Sequence, residues 1–146
     1  MLQVDTRAGS GELLEPLRQR SLPVHPAQLE FGDFAWVGNG PGGRPVTVAV
    51  ELKTIEDVLA CITNGRFAGH QLPGLQESYE VVYLIIEGRW TVGAGRELRT
   101  LQHGRFQVHA WSGREWKFEA LDNWITTMEI KAGVRVRRTM DQAETV

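Results

Sequence analysis

VTVAVELKTIED, residues 46–57, is the stretch whose reading decides the fold. Val46, Val48, Val50 and Leu52 alternate with Thr47, Ala49, Glu51 and Lys53, the period-two pattern of a strand with one face committed to a core. Glu51 and Lys53 therefore project from the same side. A carboxylate and an ammonium at the end of an apolar strand are costly to bring toward an interior unless something employs them. Residues 29–37, LEFGDFAWV, read as the preceding strand and carry Asp33, and the Gly- and Pro-rich GNGPGGRP at 38–45 joins the two. Antiparallel pairing across that turn sets Asp33 beside Glu51, which assembles two carboxylates and one lysine. The plain alternative is an exposed ion pair of Glu51 with Lys53 on an edge strand. The glycines of the turn do not make a phosphate loop, because the segment leads from strand to strand and lacks the Lys-Ser/Thr pair at a helix start.

Beyond this strand, Thr54 is a good N-cap, Glu56 and Asp57 fill a first turn, and Ile55, Val58, Leu59 and Ile62 follow the spacing of one buried helix face. Asn64-Gly65 stop that helix. Residues 65–80 are interrupted by Pro73, which predicts a short turn or helix followed by another from about that proline. VVYLIIE, 81–87, is almost continuously apolar and reads as a central strand buried on both faces. Upstream, residues 1–5 form a strand with Leu2 and Val4 inward and Asp5 at its end. Ser10 then caps a helix to about Arg20 that carries Leu13, Leu14 and Leu17 on one face, and Pro23 and Pro26 end it. Downstream, 88–118 holds short alternating runs separated by glycines, a hairpin or irregular excursion. A helix at 121–131, stopped by Gly133, and a strand at 134–138 follow. Residues 141–146, DQAETV, read as the first turn of a helix left incomplete, as in a fragment of something longer. The order makes an α/β sandwich around a mixed sheet.

The 146 residues fit one domain, and 42% hydrophobic with 23% charged content is that of an ordinary globular chain. No apolar run approaches a membrane span and the N-terminus has no signal-peptide pattern, so an intracellular location is expected: cytoplasm or nucleoid, or the nucleus in a eukaryote. Lone Cys61 excludes a disulfide framework, and His25, His70, His103 and His109 show no paired spacing, which excludes zinc. The net charge is −2, but it is unevenly spread. Arg89, Arg96, Arg99, Arg105, Arg114 and Lys117 stand against only Glu97 and Glu115, while most of the candidate carboxylates lie within residues 1–57. An acidic centre beside a basic, aromatic flank suits a metal-dependent phosphodiesterase, and equally a solvated surface.

Gly32-Asp33, a spacer, Glu51-Leu52-Lys53, three residues and Asp57 make a pattern that resembles the nuclease domain of the XPF-type structure-specific endonucleases. These are a branch of the PD-(D/E)xK, restriction-endonuclease-like superfamily. Flanking matches are Val4-Asp5-Thr6-Arg7, Asn64-Gly65-Arg66-Phe67 and Tyr83-Leu84-Ile85-Ile86-Glu87-Gly88, so the likeness spans 4–88 in the family's order. It departs from the family at Leu52, where an arginine is usual, at Ala8, where an acidic residue is frequent, and at His70, where glutamine is usual. Stretch 89–118 is longer than the family's connection. Neither a helix-hairpin-helix pair nor a helicase domain is visible.

The resemblance implies a restriction-endonuclease-like α/β/α sandwich with a central mixed sheet, spanning 1–146 as one nuclease domain with 89–118 as an aromatic and basic insertion. It implies an endonuclease using Mg²⁺ or Mn²⁺ on branched, flapped or forked DNA in repair, recombination or replication, with a homodimer as the family's usual assembly. Asp33 and Glu51 are the implied metal ligands, the Leu52 carbonyl a third, and Lys53 completes the catalytic set. Asp57 is either a cap residue or a support near the metal. Asp5 and Arg7 either extend the site or pair only with each other. Arg66 is a phosphate clamp or a solvated arginine, and Glu87 a third carboxylate or a loop cap. Arg105 and Trp111 are the DNA contacts expected in 89–118, against the reading in which its aromatics are a small sheet's own core. A Holliday-junction resolvase or other nuclease of the superfamily and a catalytically inactive DNA-binding subunit are the alternatives.

Overall fold

The computed structural model describes residues 1–7 and 9–146, so the departure at Ala8 lies outside the described residues. The chain begins with β1 (Leu2–Asp5) and a 3-10 turn, Ser10–Leu13, that runs into α1 (Leu14–Gln19). After β2 (Val24–Ala27), β3 (Phe34–Asn39) and β4 (Pro45–Thr54) come α2 (Ile55–Asn64) and a π-helical turn, Phe67–Gln71, that leads into α3 (Leu72–Ser78). Then follow β5 (Val81–Glu87), β6 (Trp90–Val92), β7 (Leu98–Gln102), β8 (Arg105–Val108), β9 (Ala110–Trp111), β10 (Arg114–Glu115), α4 (Phe118–Ile130), β11 (Arg135–Thr139) and α5 (Gln142–Thr145).

Six strands form the central mixed sheet in the order β11-β5-β4-β3-β1-β2. β11, β5 and β4 run parallel, β3 is antiparallel to β4 and to β1, and β2 is parallel to β1. The larger core covers one face, where Ile55 and Leu59 of α2, Leu75 of α3 and Leu121 of α4 meet Ala49, Leu84 and Ile86 of the sheet. On the other face, Leu13 and Leu17 pack on Val4, Phe34 and Val50, with Val146 at the margin. The sheet is therefore a middle layer between helices.

Several expectations are corrected. β4 does not commit one face only: Val48 and Val50 are buried on the α1 side and Ala49 and Glu51 on the other, because helices cover both. β4 also lies inside the sheet, so the edge-strand ion pair is overturned. The strand expected at 29–37 begins only at Phe34, and Pro26, read as a terminator, lies in β2. A proline is tolerated there because β2 is an edge strand, with β1 as its sheet neighbour. Ser10 is not a cap; its buried hydroxyl donates to the Asp5 carbonyl at 3.1 Å, and the turn it opens is 3-10 before it becomes α. The short turn followed by a helix from about Pro73 is found as expected: the π-helical turn Phe67–Gln71 gives way to α3 at Leu72, with Pro73 in its first turn. β5 is buried at Val82, Leu84 and Ile86, whereas Val81, Tyr83 and Ile85 are half-buried under the thinner α1 layer. Residues 88–118 hold a three-stranded sheet, β6-β7-β8, and the hairpin β9-β10. α4 starts earlier than expected, at Phe118.

Candidate active site

Phe34 pairs with Val50 at the end of the β3–β4 ladder, and the next residues back and forward, Asp33 and Glu51, lie near enough there that the Asp33 charge acts on Glu51. Asp33 is held from both sides: its N–H donates to the Val50 carbonyl at 2.8 Å, and its carbonyl accepts from Asp5 N–H at 2.8 Å. Gly32 turns the chain into this position with φ +86, a left-handed value that side chains disfavour. A Cβ at Gly32 also stands 3.3 Å from Leu75 Cδ2 and 3.4 Å from the Val50 oxygen. Gly-Asp is thus a geometric requirement of this corner.

Asp33 Oδ2 accepts from Leu52 N–H at 2.7 Å. Since the N–H and C=O of one residue leave an extended strand on the same edge, the Leu52 carbonyl also turns toward the Asp33 side. Glu51 and Lys53 share the α2–α3 face, with Lys53 Nζ 3.0 Å from Glu51 Oε1 and the two side chains only 11% and 10% exposed. Phe67, the first residue of the π-turn, lies under the ammonium at 5.6 Å from its ring centroid.

Burial lifts the Asp33 carboxyl above its ordinary 3.8, although the Leu52 N–H and the Lys53 charge pull it down. Burial and then the Asp33 charge lift Glu51 above its ordinary 4.5, against the pull of Lys53. One buried and one half-buried carboxylate beside a single ammonium favour binding of a further positive charge. Among the described residues no group of three or more His, Cys, Asp and Glu converges as a metal cage. A pair of hard oxygen ligands fits Mg²⁺ or Mn²⁺, which keep several waters and need only one or two carboxylates, and does not fit zinc.

Most of the remaining expected residues divide between two recesses that share Asp33. Asp5, Arg7, Glu51, Arg66 and Gln71 line a cleft of about 510 Å³ with it. Asp5 is buried, and Arg7 Nε donates to its Oδ2 at 2.9 Å while the arginine itself stays open to solvent. The Asp5–Arg7 pair and the place in the cleft therefore coexist. The backbone of Arg66 is fixed by Asn64 Oδ1 at 2.9 Å.

Leu52, Thr54, Asp57, Glu87 and Ser10 line a second recess of about 320 Å³. There Asp57 N–H donates to Thr54 Oγ1 at 3.2 Å, the expected cap, and Glu87 accepts from the Thr145 hydroxyl. Arg105 and Trp111 are exposed on the smaller sheets and line neither recess.

Three residues escaped the sequence reading. Ser10, whose sequence signal is that of a helix cap, lines the second recess instead. Tyr79 anchors the 28–33 segment by donating to the Phe31 carbonyl at 3.1 Å, a long-range contact with no local signal. Gln71 lines the larger cleft beside its more exposed neighbour His70, a placement set by the π-turn that leaves no mark in composition.

A family model for the ERCC4 domain matches residues 4–146. Two solved structures, XPF from Aeropyrum pernix in complex with DNA and the same protein alone, each superpose with a TM-score of 0.68 at 26% identity. Each match covers 99% of this chain and 58% of the relative, so the chain spans little more than half of its length. No curated protein matches. Among the described residues no helix is long and apolar enough to cross a membrane.

Proposed function

Because the chain belongs to the ERCC4 domain family of XPF-type nucleases, we propose that it is a metal-dependent DNA endonuclease that cleaves branched, flapped or forked DNA. The observation that carries this reading is the trio at the β3–β4 corner: Asp33, one residue before the Phe34–Val50 pair, with its charge acting on buried Glu51, and Lys53 Nζ 3.0 Å from Glu51 Oε1. An inactive binding subunit has no use for two carboxylates kept under desolvation, since each raises the free energy of the folded chain in its ionised form.

Asp33 and Glu51 would hold the cation, with the Leu52 carbonyl as a third ligand. When bound, Mg²⁺ or Mn²⁺ supplies relief of phosphoryl charge and a water more easily deprotonated at neutral pH. The Lys53 ammonium, fixed between Glu51 and the Phe67 ring, offers its remaining hydrogens to the attacking water and to the oxygen on which negative charge develops. The Leu52 N–H holds Asp33 Oδ2 and so orients the carboxylate for its ligand role. Arg7, tethered by Asp5, and Arg66 stand at the cleft to receive backbone phosphates on either side of the scissile bond. Asp57 and Glu87 support the second recess, from which a leaving strand can exit.

The test is cleavage of labelled duplex, single strand, splayed fork, flap and four-way junction with Mg²⁺ or Mn²⁺, by the natural chain and by Lys53→Ala. Metal-dependent cutting of fork or flap that falls by about 10²-fold or more in the variant supports the reading. Symmetric cutting confined to the four-way junction replaces it with a resolvase. Binding without cutting under any metal leaves the binding subunit.

A further inference from the structure

His70 and Phe31 put two rings on the wall of the cleft that holds Asp33 and Glu51. Their centroids are 6.5 Å apart and their planes lie at 51°, so the rings meet at a tilt and neither covers the face of the other. Phe31 is fixed from two directions. Its carbonyl accepts from the Tyr79 hydroxyl at 3.1 Å, and its ring fills the space beside Gly74, where any Cβ would collide with it. His70 is exposed, and its backbone is held in the π-helical turn Phe67–Gln71.

Arg7 and Arg66 are the guanidiniums of this cleft and the groups that suit phosphate. Glu30, next to Phe31 in the chain, also lines it, is exposed and has no cationic partner among the described residues. A free carboxylate repels phosphate and leaves the neighbouring rings to a group without charge. Of the parts of a nucleotide, only the base offers a π-face. In a duplex both faces of a base are covered by its neighbours, whereas an unpaired base beside a branch leaves the stack at little cost. Resting on the nuclease reading above, we propose that His70 is a specificity-determining residue whose imidazole, backed by the Phe31 ring, stacks on an unpaired nucleobase next to the scissile phosphate. The cleft then favours a splayed nucleotide over a paired one.

The experiment is steady-state cleavage of a fork with Mn²⁺ by the natural chain, His70→Ala, His70→Gln and His70→Phe, with melting curves for each. It is repeated on forks made abasic, in turn, at each unpaired nucleotide flanking the cut. Stacking requires a ring, so His70→Ala and His70→Gln raise KM for the intact fork about ten-fold or more with kcat little changed, whereas His70→Phe keeps the natural KM. One abasic fork raises the KM of the natural chain by the same factor, and on that fork the natural chain and His70→Ala are equal. The inference alone is overturned if the natural chain cuts the fork and His70→Ala cuts it with the same KM. It is overturned as well if His70→Gln keeps the natural KM, which assigns a hydrogen bond in place of a stack, or if His70→Phe loses as much as His70→Ala. A His70→Ala chain that melts lower and loses as much on every abasic fork as on the intact one also overturns it, and marks His70 as a support of the π-turn. A natural chain that cuts no fork, flap or junction with Mg²⁺ or Mn²⁺ takes down the nuclease reading and this inference together.

Discussion

Asp33 is the residue at which stability and function oppose each other. Its carboxyl and that of Glu51 are raised above 3.8 and 4.5 by burial. For such groups the folded chain binds protons more readily than the unfolded one. Their favourable contribution is present below those ordinary values and is lost as pH rises through the raised ones. Glu80, Glu119 and Asp141, held low by Arg44, Arg96 and Arg89, carry the opposite sign and lose their contribution as pH falls. The informative quantity is therefore the difference between the natural chain and Asp33→Asn, in which an amide oxygen still accepts from Leu52 N–H. In EDTA the asparagine variant melts higher at neutral pH, by about 4 °C for each kcal/mol recovered, and the gap closes as pH falls toward 4. With saturating Mn²⁺ the order inverts, because only the carboxylate gains binding energy. Melting curves across that pH range check it; an asparagine variant that melts lower in EDTA at every pH refutes burial as the source of the shift.

At the scale of elements, the position of Asp33 is set by α3 through a contact no local pattern announces. Gly74 leaves the space that the Phe31 ring fills, and a Cβ there meets Phe31 Cε1 and Cζ at 2.2 Å. Phe31 is two residues from Asp33, and Tyr79 at the end of α3 grips its carbonyl. Helix propensity alone predicts that Gly74→Ala stabilises by about 1 kcal/mol. Overpacking against Phe31 predicts a loss of about 1–3 kcal/mol and a weaker Mn²⁺ site, although residue 74 touches no ligand. Melting and calorimetry separate the two, and a more stable variant with unchanged binding refutes the coupling. The β3–β4 corner was legible because its register follows from a short strand-to-strand turn, and Thr54 and Gly65 mark the α2 boundaries through local chemistry. What covers each face of β4 was not legible, because alternation reports which residues share a side and not what lies above them. β2 was lost because Pro26 looks the same as an edge-strand residue and as a helix terminator.

At the scale of the molecule, the least legible region is 89–118, where the sequence offered aromatics as core and cations as a polyanion surface. The structure divides both sets. Trp90, Leu98 and Thr100 are buried on the inner side of the β6-β7-β8 sheet, with Arg138 stacked 3.4 Å from the Trp90 ring centroid. Leu101, Phe106 and Val108 share the outer side by register, and Phe106 and Trp111 are 47% and 53% exposed. Arg89, Arg96, Arg99 and Lys117 are paired with Asp141, Glu119, Glu97 and Glu115, which leaves Arg105 and Arg114 without a carboxylate among the described residues. A DNA strand reaching this surface is therefore held by stacking more than by charge. Two phosphates on a single strand give a log–log salt slope of only about −1.4, and Arg105→Ala lowers its magnitude by about 0.7. Phe106→Ala with Trp111→Ala leaves the melting temperature unchanged, because neither ring is buried, and weakens binding of the single-stranded arm of a fork by about 1–3 kcal/mol for each base that loses its platform. Fluorescence anisotropy with fork and blunt duplex at several salt concentrations measures both effects. Equal affinity of the double variant and the natural chain for the fork refutes a role for Phe106 and Trp111 in holding DNA.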